Sequence, residues 1–328
     1  MGRERSLFRK RDEINLKDGA FIARMKQLRY SLFSKQELAL FFATVLWGIT
    51  FLIIHIAVRY SGPLFFVGFR FIVAALISTV VFWRSMKDIN VYEVFAGMAI
   101  GFGIFLGYTF QTAGLQTIIS SQSAFITAIY VPIVPVLQWI FFKKLPHLYS
   151  WIGIIFAFIG LILVSGQDLK GIRFSKGEIL TLLGALAIAG EIMLIGFFAN
   201  KVDSRRITII QLFFGSFFAF CCMPLMGESI PEFSWVWFNI GVGLALMSAV
   251  IQLTMNWAQK SVSPTRATLI YAGEPVWAGI VGRLAGEYLS PSTLLGGLFI
   301  MIGIVVAELK PSQGRKKNKT TGKIISLL

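Results

Sequence analysis

Charge is what this chain has least of. Of 328 residues, 14% are Asp, Glu, Lys or Arg, against about 25% in a soluble domain, and the deficit is concentrated in the middle of the chain. Acidic side chains are the scarcer sign, 16 against 31 Lys and Arg. The only cysteines are the adjacent pair Cys221 and Cys222. They exclude a disulfide scaffold or thiolate metal site and, lying in an apolar run, read as packed thiols. Two histidines, His55 and His147, leave little for histidine chemistry. No P-loop, zincin pattern, Asp-rich diphosphate motif or Ser/His/Asp ordering appears within the apolar stretches. The sequence therefore predicts no enzyme: no catalytic residue, no metal and no cofactor are expected.

What is abundant is apolar surface: 56% of residues and a mean hydropathy of +0.73. A helix crosses a bilayer with about 20 such residues. Ten stretches fit, at 37–58, 63–83, 93–113, 118–141, 148–166, 177–199, 206–226, 235–258, 263–286 and 290–308. The loops between them are short and carry breakers such as Ser61-Gly62-Pro63, Lys144-Leu145-Pro146 and Ser290-Pro291. An all-α polytopic membrane domain is predicted, with a basic segment at 1–36 and a basic tail at 309–328.

The net charge of +15 invites a nucleic-acid reading, but ten Lys and Arg precede the first apolar stretch and six follow the last. That placement suits orientation and anionic headgroups rather than nucleic acid. Counting Lys and Arg in the short loops puts Arg84, Lys87, Lys143, Lys144, Lys201, Arg205, Arg206 and Lys260 on the side of both termini. Arg59 and the dissenting cluster Lys170, Arg173 and Lys176 fall opposite. Both termini are thus expected in the cytoplasm. The first 36 residues lack the apolar core of a signal peptide. Phe21, Met25, Leu28 and Leu32 share one helical face there, so the segment reads either as an interfacial amphipathic helix or as a basic tail.

The chain also repeats itself. A shift of 143 residues brings Ala124 onto Ala267, Pro132 onto Pro275, Gly153 onto Gly296 and Gly160 onto Gly303. Each repeat, 37–167 and 168–308, would hold five spans. The odd number inverts the second copy, an arrangement common in secondary transporters with a midplane site. Trp47-Gly48, Phe69-Arg70-Phe71, Glu274-Pro275 and Gly286-Glu287, in this order and with the repeat, resemble the EamA-type branch of the drug/metabolite transporter superfamily over residues 37–308. The resemblance implies a ten-helix inverted-repeat permease with a central cavity lined by the first, third, fourth, sixth, eighth and ninth helices. It also implies export of an amino-acid-like metabolite from the bacterial inner membrane. Members often carry Gly-Glu after the fourth span where this chain has Lys143-Lys144, which leaves the subfamily open. Carriers of nucleotide-derived metabolites, sugars or lipophilic cations remain alternatives, as does a membrane-embedded enzyme or a non-transporting partner subunit.

Ionisable groups inside the spans are the natural site candidates, because each must face protein or water. Glu274 lies between Arg266 and Arg283, which can reach opposite interfaces, and so falls near the midplane. Pro132 and Pro275 would kink their helices, and Pro275 would free the Tyr271 carbonyl beside the acid. Glu191 has no basic residue within two turns, so it must be protonated, paired across helices or wet. Either acid could carry a proton, bind a cationic substrate group or be structural. Arg70 could bind a carboxylate, snorkel or join two helices; His55 reads as a satisfied interface histidine. Trp47, Tyr108, Gln111, Tyr130, Gln252, Asn256 and Tyr271 lie inside spans and could line a cavity or merely pack. Trp83, Trp139, Trp151, Trp235 and Trp237 read as interfacial belts. Glycines from Gly97 to Gly107 read as close-approach positions. Small-molecule substrate, protons and lipids are the expected partners.

Overall fold

The computed structural model describes residues 34–143, 145, 148–164 and 174–308. The amphipathic face at 21–32, most of the first basic segment, the whole tail at 309–328, Lys144, His147, Lys170 and Arg173 lie outside the described residues. Those described form twelve α-helices and one 3₁₀ segment, Trp83–Asp88, with no strand among them. The helices are α1 (Lys35–Ala57), α2 (Pro63–Phe82), α3 (Val91–Gly114), α4 (Ser120–Thr127), α5 (Tyr130–Phe142) and α6 (Leu148–Val164). They continue as α7 (Lys176–Phe198), α8 (Ser204–Leu225), α9 (Trp235–Ala258), α10 (Pro264–Tyr271), α11 (Glu274–Leu284) and α12 (Pro291–Glu308).

Polar residues at the loop junctions set where these helices begin. Ser34 with Glu37, Asn90 with Glu93 and Ser175 with Glu178 close three capping boxes, each satisfying two backbone donors that the first turn leaves free. Pro63 and Pro264 open their helices at positions where a missing N–H costs nothing.

Seven stretches are long and apolar enough to cross a membrane, counting Ser120–Phe141 as one. The shorter apolar helices α6 and α12 add two more stretches. Two of the ten expected spans are not continuous. The fourth breaks at Ala128–Ile129 and the ninth at Ala272–Gly273. The reason is backbone chemistry: Pro132 and Pro275 cannot donate to the carbonyls four residues earlier, those of Ala128 and Tyr271. There the chain tightens into three-residue turns, with Ile129 N bonding Ile126 O at 3.2 Å and Gly273 N bonding Ile270 O at 3.1 Å. The prolines thus separate half-helices rather than bend one.

Packing relies on close backbone approach. A Cβ on Gly101 would lie 2.7 Å from the Gln211 carbonyl oxygen, so α3 presses directly on α8. The crossing of α6 and α12 is reciprocal: Gly160 meets the Gly296 carbonyl oxygen and Gly296 the Gly160 oxygen, each 2.6 Å from a would-be Cβ.

The bundle has two distinguishable ends. At the near end, where α1, α3, α8 and α10 begin, Glu37 pairs with Arg266. Glu93 accepts from Asp203 N at 3.1 Å and from Arg206 Nε at 2.9 Å. At the far end, where α2, α4, α7 and α9 begin, Glu228 accepts from Leu64 N at 3.1 Å and Phe65 N at 2.7 Å. Glu178 accepts from Gln122 Nε2 at 2.8 Å. Glu287 accepts from the backbone N–H and hydroxyl of both Ser120 and Ser121, at 2.5–3.1 Å.

Two expectations need correcting. Trp237 is buried, not interfacial: it packs edge-on against Phe65 and Phe69 and donates Nε1 to the Glu232 carbonyl at 3.0 Å. Cys221 is exposed on α8 rather than packed, and both thiols are free.

Candidate binding site in the bundle core

Helix positions alone place the polar core. Trp47 sits mid-way along α1, Tyr108 in the second half of α3, Glu191 in α7 and Gln252 in α9. Trp47 Nε1 donates to the Tyr108 hydroxyl at 3.1 Å, and Gln252 Nε2 reaches the same oxygen at 3.4 Å. Gln252 Nε2 also donates to Glu191 Oε1 at 2.8 Å, so the lone acid of α7 is met across helices by an amide. Gln211 of α8 completes the line, donating Nε2 to Gln252 Oε1 at 2.7 Å.

The second acid stands at the break in the ninth stretch. Glu274 is the first residue of α11, where the free N–H groups of the opening turn favour negative charge. Tyr130, the first residue of α5, donates its hydroxyl to Glu274 Oε2 at 3.2 Å. Both helix breaks therefore meet at this bond. Trp47 links the groups, its ring lying edge-on to Tyr271 with centroids 5.3 Å apart.

The remaining candidates sit around this centre. Gln111 Nε2 donates to Thr127 Oγ1 at 3.2 Å, at the last residue of α4. Asn256 is committed to helix contacts, to Thr208 Oγ1 at 2.9 Å and the Gln252 carbonyl at 3.0 Å. Arg70 is buried and donates Nε to Ser248 Oγ at 2.6 Å, its guanidinium lying over the Phe71 and Tyr108 rings. That joins α2 to α9 and leaves it apart from both acids' hydrogen bonds. His55 bonds the Leu115 carbonyl and Arg59, an interface role. Arg266 does not simply reach for the interface, because Glu37 holds it.

Trp47, Arg70, Tyr108, Gln111, Tyr130, Glu191, Gln252, Asn256, Tyr271 and Glu274 are each no more than 5% exposed. These side chains are therefore packed among protein groups rather than exposed. Four outer grooves of about 380–450 Å³ open elsewhere; the one formed by α5 and α7 reaches Gly190, one residue from Glu191. Sequence reasoning missed Gln211 and Ser248. Gln211 carried the signal that marked Gln111 and Gln252, an amide alone in an apolar run.

A helical bundle with seven membrane-length stretches and two carboxyls buried among aromatics and amides is the build of a polytopic membrane transporter. The chain belongs to the EamA-like transporter family, whose model matches residues 34–166 and again 175–309. An uncharacterized transporter of Archaeoglobus fulgidus is 27% identical over 283 residues, 84% of this chain and 86% of its own. The uncharacterized transporter YwfM of Bacillus subtilis is 26% identical over 306 residues, covering 90% and 98%. The uncharacterized inner membrane transporter YedA of Escherichia coli K12 is 27% identical over 289 residues, covering 83% and 90%. A solved crystal structure superposes with a TM-score of 0.63 over 84% of this chain and 96% of its own. At 15% identity that likeness carries the fold alone.

Proposed function

We propose that the protein is a secondary carrier for a small polar metabolite, favouring an amino-acid-like compound, exported across the inner membrane by alternating access. In this reading ten membrane crossings form two inverted five-helix repeats, 37–167 and 168–308, with both termini cytoplasmic. Basic segments at 1–36 and 309–328 rest on anionic headgroups. The observation that carries it is the bond between Tyr130 and Glu274, where a half-helix start from each repeat meets at a buried acid. Interrupted helices flanking a midplane site are a recurrent transporter device, since helix ends supply dipoles and free backbone groups to the substrate. Under the 143-residue shift the Gly160–Gly296 contact maps onto Gly303–Gly153, where the Gly153 carbonyl oxygen also lies 2.6 Å from a would-be Cβ on Gly303. This pair of contacts fits a twofold relation between α6 and α12.

Trp47, Tyr108, Gln111, Tyr130, Gln252, Asn256 and Tyr271 are assigned to the site lining. Glu191 and Glu274 are the candidates for proton exchange, and Arg70 supports the Tyr108 ring. Flux into proteoliposomes, read by mass spectrometry over a metabolite panel with and without a pH gradient, tests this. Product formation without crossing would replace it with an embedded enzyme. Gradient dependence that survives in both Glu191→Gln and Glu274→Gln would remove proton coupling and leave facilitated diffusion.

A further inference from the structure

The hydrogen-bond line through the core has a direction, and it ends in two vacant acceptors. Gln211 donates to Gln252, and Gln252 donates to Glu191 and to Tyr108. Glu191 Oε2 and Gln211 Oε1, at the two ends, are buried and accept from no protein group. Both residues are 0% exposed. Amide orientation is an assignment, so it must be tested by reversal. Turning Gln211 alone sets its oxygen against that of Gln252. Turning both amides gives Gln211 a donor but sets the Gln252 oxygen against the Glu191 carboxylate. An ionised Glu191 therefore leaves an acceptor vacant in every arrangement.

Charge points the same way. The ion pairs among the described residues, those of Arg205, Arg206 and Arg266, all lie at the near end. Arg70 spends its Nε on Ser248. Thus no cation is seen to answer Glu191, and an unanswered carboxylate in a dry core is costly. A primary ammonium supplies the missing charge and three donors at once. The Trp47 ring, joined to the same network, offers a cation-attracting surface, whereas the Tyr108 ring already carries the Arg70 guanidinium. A carboxylate placed at Glu191 Oε2 would meet an acceptor and like charge.

We propose that Glu191 Oε2 is the subsite for a protonated primary amine, the cationic end of the transported molecule, with Gln211 acting through Gln252 to hold the carboxylate in place. The assignment rests on the transport reading for its purpose, but binding is measurable without flux. Purified full-length protein in detergent is titrated with methylammonium, 2-phenylethylamine, 3-phenylpropionate and sodium chloride at constant ionic strength, and thermal unfolding is followed. The amines should raise the apparent melting temperature saturably, while the acid and the salt should not. Glu191→Gln should weaken the apparent affinity for 2-phenylethylamine at least tenfold. Gln211→Leu, which keeps the charge, should weaken it several-fold and serves if the first variant does not fold.

Equal shifts with 3-phenylpropionate, a shift reproduced by sodium, no shift with either amine, or variants that respond like wild type would each overturn the subsite. Amine binding without flux of any metabolite would instead break the transport reading and leave the subsite standing. Flux of an anionic metabolite without amine binding would do the reverse.

Discussion

At the near end the carboxylate of Glu37 meets the guanidinium of Arg266, whereas at the far end the carboxylate of Glu178 meets the neutral amide of Gln122. The two contacts are built alike: each acid closes a capping box, and each partner is the third residue of a half-helix, α10 or α4. The far end adds Glu287, which accepts all four donors of Ser120 and Ser121. The near-end contact is a formal ion pair but leaves Arg266 61% exposed, unlike the neighbouring Arg206–Glu93 pair, which is largely covered. Water and salt screen an exposed pair, so formal charge is a poor guide to which end holds harder. Buried donors that would be orphaned are a better one.

That contrast can be broken in order of size. Glu287→Ala strands four donors around Ser120 and Ser121, both buried. It should cost about 2–4 kcal/mol, read as the fall in unfolding free energy in detergent. Next comes acid. Burial pushes the Glu287 carboxyl up, but its bonds from Ser120 and Ser121 outweigh this and hold it below its ordinary 4.5. A depressed carboxyl stabilises the fold above its ordinary value and loses that contribution as pH falls through the folded value. Melting temperature should therefore drop on acidification below 4.5, and Glu287→Gln should flatten that slope.

Smaller still, Arg266→Gln turns the near-end contact into a copy of the far one. It should cost no more than about 1 kcal/mol, and less in high salt. The reverse exchange, Gln122→Arg, should stabilise by about 0.5 kcal/mol if its guanidinium reaches Glu178. A loss for Arg266→Gln larger than that for Glu287→Ala would invert the ranking of the two ends.

Much of this architecture was legible in the residues. Hydropathy located the helices because a span must hide its backbone in apolar length, whereas the capping boxes that set three of their starts emerged only in the structure. Pro132 and Pro275 marked the interruptions as kinks, but not that the chain would tighten into three-residue turns that split each span, nor that the two breaks would face each other through Tyr130 and Glu274. Contacts between distant segments were hidden. Glu228 had no part in the sequence reading and Glu287 only a place in the Gly286-Glu287 motif, until the fold set them against the starts of α2 and α4. Trp237 looked like a belt residue because sequence shows its depth along a helix but not the direction it faces. In the core, Glu191 stood out through its lack of a local counter-charge, whereas Gln211 needed Gln252 beside it to become meaningful.

The glycine crossing of α6 and α12 constrains any movement of the bundle. With backbone carbonyls lodged against glycine Cα atoms at two levels, Gly160–Gly296 and Gly153–Gly303, the pair can neither slide nor swivel without collision. A crosslink placed there would be mechanically silent, because it joins two helices that already move as one, while one spanning Gln122 and Glu178 would lock the far mouth. The spot where the backbones touch most tightly is thus the one that a conformational probe should avoid.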